Sequence, residues 1–213
     1  MTEAEWLATT EPSKLLKYLY GKATDRKVAL VACATCRSVW DSLHDERSRN
    51  AIELTEGLVD GVVSPSDHER ACDAAAAAME EIEEKRTRQD QTGEHEVDAL
   101  GAAERAHEAA VRSWEYVFNT AQENPDVFNL IIIMRDIFGN PFRPIALDPS
   151  WLSSTVLALA EGIYADRAFD RLPILADALQ DAGCQNPEIL AHCSGEGPHT
   201  RGCWVVDLLL NRE

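Results

Sequence analysis

The strongest constraint on the fold is the spacing of apolar residues, which recur every three or four positions through most of the 213-residue chain. After Thr24-Asp25, for example, this spacing continues from Val28 to Leu43 and predicts a helix reaching about His44. No stretch of useful length alternates with the two-residue period of a β-strand. We therefore predict an all-α protein, an irregular multi-helix bundle folded as a single helical domain over residues 1–213.

The middle of the chain is rich in alanine and glutamate. A run of five alanines, Ala74–Ala78, precedes the charged stretch Glu80–Arg88 and favours a helix while offering little apolar area to bury. Thr92-Gly93 interrupts the pattern before a second helix that ends near Ala121. We predict a helical hairpin inserted at residues 66–122. Asn124-Pro125 then marks a boundary, after which residues 126–213 form a compact C-terminal helical module.

Charge and hydropathy exclude several classes of function. The net charge of -17 repels phosphate backbones and anionic lipid headgroups, so we expect no nucleic-acid partner. The first residues lack the basic and apolar regions of a secretory signal. The apolar run Leu130–Met134 is too short to span a bilayer. We therefore expect a cytoplasmic protein without a membrane partner, whose cysteines are thiols or metal ligands.

The most suggestive group of side chains lies near the end of the sequence. Cysteine and histidine are the ligands that zinc favours. They cluster here in a sequence that predicts two short helices around a flexible loop. The predicted zinc ligands are Cys184, Cys193, His199 and Cys203, with His192 as an alternative. The spacing matches no standard zinc signature, so the same cysteines are also explained as small buried apolar residues.

Two further motifs each have a functional and a structural interpretation. Cys33 and Cys36 form a Cys-x-x-Cys motif, but the predicted helix carries it in its middle, where two buried thiols at one interface are the simpler explanation. A metal site combining this pair with Cys193 and one C-terminal histidine is a further alternative. The stretch Pro198–Trp204 begins a helix and offers an anion site, unless Arg201 pairs with a carboxylate of the protein itself.

No standard motif for nucleotide binding, serine hydrolysis or zinc proteolysis occurs in the sequence. The leading hypothesis is therefore a non-enzymatic helical module that binds another protein. The first alternative is a zinc-binding protein that uses the C-terminal cysteines and histidines, structurally or catalytically. The second is a thiol redox protein that uses Cys33 and Cys36.

Seven segments of the sequence carry a resemblance: Thr2–Leu7, Cys33–Arg37, Phe138–Pro144, Leu147–Trp151, Phe169–Leu179, Ile189–Cys193 and His199–Asp207. They resemble an uncharacterised family of proteins and C-terminal modules abundant in planctomycete bacteria. The similar segments cover about two thirds of the chain, and the Ala/Glu-rich middle resembles the family's variable insert. Relatives often carry a third cysteine where this chain has Thr35. The family has no established activity, so the resemblance implies no mechanism.

Overall fold

Every regular element in the described part of the chain is a helix. The computed structural model describes residues 1–90 and 127–212. Within these ranges it has ten α-helices and three 3₁₀ helices, and no β-strand. The predicted all-α, multi-helix fold is confirmed.

The elements are numbered in chain order. The α-helices are α1 (Glu3–Ala8), α2 (Pro12–Leu19), α3 (Asp25–Arg37), α4 (Glu46–Val59), α5 (Pro65–Asp90), α6 (Val127–Phe138), α7 (Ser154–Asp166), α8 (Leu172–Asp181), α9 (Pro187–Ser194) and α10 (Trp204–Leu210). The 3₁₀ helices are Trp40–Ser42, Pro149–Trp151 and Phe169–Arg171.

Side chains that cap the backbone set many of the helix starts. At α1, Glu5 N–H donates to Thr2 Oγ1 over 3.3 Å and Thr2 N–H donates to Glu5 Oε2 over 2.7 Å, which completes a capping box. Asn186 opens α9 by accepting hydrogen bonds from the backbone of Glu188 and Ile189. Such caps satisfy N–H groups that the helix itself leaves unpaired.

Helix α3 is shorter than its apolar spacing predicts. It ends at Arg37, so the prediction that it reaches about His44 is wrong. Val39 leaves the helical region at φ -117° and ψ 26°, and the side chain of Asp45 accepts a hydrogen bond from Arg47 N–H over 2.8 Å to begin α4. The apolar spacing continues because a 3₁₀ helix, Trp40–Ser42, follows α3 after two residues.

The chain divides into two compact units. Unit 1 combines Met1–Tyr18 with Ile131–Glu213, and unit 2 is Leu19–Leu130. The first helix of the predicted hairpin at 66–122 corresponds to α5. Its turn and its second helix lie outside the described residues, as does the boundary predicted at 126. The hairpin and the limits of the C-terminal module therefore stay predictions.

Unit 2 is built around α4, which packs against both α3 and α5. Small side chains, including Ala51, Ala71 and Ala75, line part of the α4–α5 contact and allow the two helices to approach closely. Glu56 is buried on α4, where Arg37 binds it with two hydrogen bonds of 2.6 and 2.9 Å. This bidentate pair compensates a carboxylate that would otherwise be costly to bury.

Unit 1 has a continuous apolar core formed by its last four helices. Helix α8 packs against α7 and α9, and α10 packs against α7 and α9. The residues between α9 and α10 form a loop, 195–203. The buried core residues are Val156, Ala160, Ile163, Tyr164, Leu172, Leu175, Ala176, Leu179, Cys184, Ile189, Cys193, Cys203, Val205, Val206 and Leu209.

Candidate metal centre

A buried carboxylate near the end of α6 anchors the candidate site. Helix α6 is strongly apolar, yet it carries Asp136, which is only 3 % exposed. An ionised side chain in such a position needs partners that compensate its lost hydration. Gly139, at φ 61°, ends the helix three residues later, and its N–H donates to the carbonyl of Arg135 over 2.9 Å.

The partners of Asp136 come from α9 and from the loop that follows it. His199 Nδ1 lies 2.6 Å from Asp136 Oδ1, and His192 Nε2 lies 3.2 Å from the same oxygen. His192 Nε2 is also 3.1 Å from Cys203 Sγ. One ligand atom from each of these four residues lies within 4.8 Å of the other three. We call Asp136, His192, His199 and Cys203 the Asp/His/His/Cys cluster.

Neighbouring groups fix the orientation of the cluster. Asp136 Oδ2 accepts hydrogen bonds from Thr200 N–H at 2.8 Å and from Thr200 Oγ1 at 3.2 Å. This leaves Oδ1 directed at the two histidines. The His192 ring packs against the rings of His199 and Trp204, with centroid distances of 4.7 and 5.2 Å. Asp136 and His192 are therefore held partly by residues outside the cluster, Thr200 and Trp204, as ligands of a metal site usually are.

The electrostatics of the cluster favour an ionised Asp136, a protonated His199 and a protonated Cys203 thiol. Burial raises the pKa of Asp136, but hydrogen bonds and charge from His192 and His199 outweigh it, and the net shift is downward. For His199, burial acts to lower the pKa, and the hydrogen bond and charge of Asp136 produce a net rise. Burial and the charge of Asp136 raise the pKa of the Cys203 thiol well above its ordinary value.

The distances are close to those that a small tetrahedral ion requires. Zinc binds nitrogen or oxygen at about 2.0–2.2 Å and sulfur at about 2.3 Å, so its ligand atoms lie roughly 3.3–3.6 Å apart in a tetrahedron. Three contacts within the cluster measure 2.6, 3.1 and 3.2 Å. Because the four ligand atoms lie within 4.8 Å of one another, some separations would have to change by about 1 Å to form a tetrahedral coordination shell.

The cluster does not have the geometry of a Cys-His-Asp catalytic relay. In such a relay, one ring nitrogen faces the nucleophile and the other faces the carboxylate. Here the same nitrogen, His192 Nε2, faces both Cys203 Sγ and Asp136 Oδ1. Cys203 is also fully buried, so a substrate could not reach its sulfur without rearrangement.

The structure brings together part of the ligand set that the sequence predicts. His199 and Cys203 lie in the cluster, together with His192, the predicted alternative. Cys184 and Cys193 are not members of it; they are 2 % and 0 % exposed in the apolar core of unit 1. Cys193 follows His192 on α9, and successive helical side chains point about 100° apart, so both cannot face the cluster. Burial is the leading cause that raises the pKa of Cys193 to about 12.

Asp136 is the member of the cluster that sequence reasoning missed. It lies 63 positions before His199, so no local spacing connects the two residues. The available signal was a single acidic residue within the apolar sequence of α6. A lone carboxylate in such a helix requires a buried partner, but the sequence does not identify which residue provides it.

The Cys-x-x-Cys motif and the predicted anion site both make contacts within the protein itself. Cys33 and Cys36 are buried in the second half of α3, away from its N-terminal end, and Cys33 Sγ lies 3.9 Å from the carbonyl oxygen of Ile52. All six cysteines fall within the described ranges, and none forms a disulfide. The redox function stays a prediction. At the proposed anion site, Thr200 N–H binds the protein's own Asp136, and Arg201 packs over the ring of Tyr164.

Comparison of the chain with protein-family models, with curated proteins and with solved structures finds no match in any of the three. Among the helices of the described ranges, none is both long and apolar enough to cross a membrane. The function of the cluster therefore rests on its own geometry and chemistry.

Gly139 allows Trp204 to pack beside the cluster, and its replacement by alanine should disturb this contact. A Cβ atom at Gly139 would lie 3.0 Å from Trp204 Cγ, and the positive φ is itself unfavourable for alanine. We expect Gly139→Ala to destabilise unit 1 by about 2–4 kcal/mol, from backbone strain plus overpacking. Urea denaturation measures the change.

Gly183 provides the matched control for this substitution. It also has a positive φ, 89°, but a Cβ atom there would meet nothing within 4 Å. Gly183→Ala should therefore destabilise the protein through backbone strain alone, by about 1 kcal/mol. Equal destabilisation by the two substitutions would mean that the contact between Gly139 and Trp204 has no energetic importance.

Proposed function

We propose that this protein binds one zinc ion through the Asp/His/His/Cys cluster, and that the ion has a structural role. The observation that carries the proposal is the convergence of four potential ligand atoms within 4.8 Å of one another, from parts of the chain far apart in sequence. Burial supports it, since Asp136 and Cys203 are buried and the side chains of His192 and His199 are only 17 % and 11 % exposed.

The chemistry of the donor set favours zinc. Calcium and magnesium prefer shells made of oxygen atoms, whereas this cluster offers two imidazoles, one thiol and one carboxylate. Imidazole and thiolate together suit zinc, and four donors match its usual tetrahedral geometry. Binding requires Cys203 to lose its proton and His199 to offer a neutral nitrogen, so zinc affinity should fall as the pH falls.

The number of protein donors supports a structural role over a catalytic one. Catalytic zinc sites usually keep three protein ligands and an open position for water or substrate. Here four side chains are available to complete the shell. A structural zinc site agrees with the expectation of a non-enzymatic protein. The binding of a protein partner through the predicted hairpin is a separate hypothesis about another part of the chain.

The test is metal analysis of the full chain purified without a histidine tag. We expect about one zinc ion per chain. After replacement of zinc by cobalt, we expect the intense visible bands of tetrahedral Co²⁺ with a sulfur-to-cobalt charge-transfer band. A chain that takes up no zinc in competition with a chromophoric chelator would refute the proposal. The weak spectrum of octahedral cobalt, without the sulfur band, would equally contradict it.

A further inference from the structure

Arg135, which directly precedes the ligand Asp136 on α6, binds the first segment of the chain. Its Nη2 atom donates to the backbone carbonyls of Trp6 at 2.7 Å and Thr9 at 2.9 Å. These carbonyls lie at the end of α1, where a helix leaves its last acceptors unpaired. Neighbouring residues on a helix point about 100° apart. Arg135 and Asp136, on the same turn of α6, therefore contact α1 and the other cluster residues respectively.

A second set of contacts joins the first segment to the helix that carries His192. Glu3, on α1, accepts a hydrogen bond from Asn140 Nδ2 at 2.7 Å and pairs with Arg143 Nε at 2.6 Å. Arg143 Nη1 lies 3.6 Å from Glu188, one turn before His192 on α9. Glu3 thereby contacts the loop that follows α6 and is linked through Arg143 to α9. Helices α6 and α9 carry two of the four cluster residues.

Aromatic packing completes the attachment of this segment. Trp6 is fully buried, and its ring packs against that of Tyr18 in a T-shaped arrangement with the ring centroids 6.0 Å apart. Tyr18 in turn stacks on Phe142 at 5.1 Å, in the loop that follows α6. We call residues Met1–Tyr18 the strap. Its attachment depends on the relative positions of α6, the loop after it and α9.

We propose that occupancy of the Asp/His/His/Cys cluster controls whether the strap is docked, an inference that rests on the proposed zinc site. Zinc would hold Asp136 on α6 and His192 on α9 at one fixed separation, the separation that the contacts of Arg135 and Arg143 require. Loss of the ion lets the two helices separate and releases α1, which exposes Trp6. Because such coupling is reciprocal, disrupting the strap should weaken zinc binding by the same factor.

The first test is hydrogen exchange on the full wild-type chain, with zinc content measured in every sample. After chelation we expect at least a tenfold loss of protection at the amides of Trp6 and Thr9, which are hydrogen-bonded at α1. Amides in the middle of α8 should change much less. A chain that binds no zinc overturns both proposals. If the chain binds zinc but the α1 amides stay protected after chelation, control of strap docking by zinc is refuted and the zinc site itself is not.

The second test measures zinc affinity of Arg135→Met. The substitution removes a positive charge next to the site, which by Coulomb attraction alone should strengthen the binding of a cation. Coupling through the strap predicts the opposite, a roughly tenfold weaker affinity. Arg171→Met, at an exposed position before α8, is the matched control and should leave the affinity unchanged. Unchanged or tighter binding by Arg135→Met would overturn the coupling.

Discussion

Replacing Cys203 with alanine is expected to weaken zinc binding by roughly 100-fold or more. Removal of a group that merely supports a metal ligand typically costs about 10–100-fold in affinity, so loss of a ligand itself should cost at least as much. Cys203 would supply the sulfur of the site, at 3.1 Å from His192 Nε2. The measurement is a competition titration with a chromophoric chelator, accompanied by loss of the sulfur-to-cobalt band in the cobalt-substituted protein.

Cys184→Ala is the control for this experiment. Both cysteines are buried in unit 1, at 0 % and 2 % exposed, so both substitutions leave a cavity of similar size. Only Cys203 belongs to the cluster. We expect Cys184→Ala to change zinc affinity by less than about threefold, under 1 kcal/mol. A loss of affinity in Cys184→Ala that matches Cys203→Ala would favour the ligand set predicted from the sequence instead.

Removal of zinc from the wild-type chain is expected to lower the unfolding midpoint of unit 1 by about 10–20 °C. A ligand present at about 100 times its Kd stabilises the folded state by about 2.7 kcal/mol. In a domain of about 100 residues, each kcal/mol shifts the midpoint by roughly 4–8 °C. Differential scanning calorimetry with free zinc buffered at this level, compared with excess chelator, measures the shift.

Two internal comparisons separate this effect from a general action of the chelator. Unit 2 holds none of the four cluster residues, so any transition assigned to it should not move. The chain carrying Cys203→Ala, with its weakened site, should show a much smaller chelator-dependent shift. Identical midpoints for the wild-type chain with zinc and with chelator would contradict a structural role for the ion.

The all-α fold was predictable because helical periodicity is a local property of the sequence. Helix starts at Thr2 and Thr24 were also predictable, since capping depends on residues only a few positions apart. The end of α3 was not, because the apolar spacing continues beyond Arg37 although the backbone does not. Local periodicity identifies which face is buried more reliably than where a helix stops.

The candidate site was predictable only where its members are close in sequence. His192, His199 and Cys203 belong to one short stretch, and their chemistry alone drew attention to them. Asp136 is brought to them by the packing of α6, which no single-sequence pattern specifies. Cys184 and Cys193 were included because sequence reasoning cannot distinguish a thiol that faces a metal from one that fills a core.

The separation of Asp136 and His199 along the chain means that an ion bound by the cluster would also act on the unfolded state. The two residues are 63 positions apart, so an ion bound to both would close a long loop, as a disulfide does. In the chain-entropy model, closing a loop of this length removes about 4 kcal/mol of conformational freedom from the unfolded chain. All six cysteines are free of disulfides, so a coordinated ion would be a reversible cross-link, removable by chelation without any change of redox state.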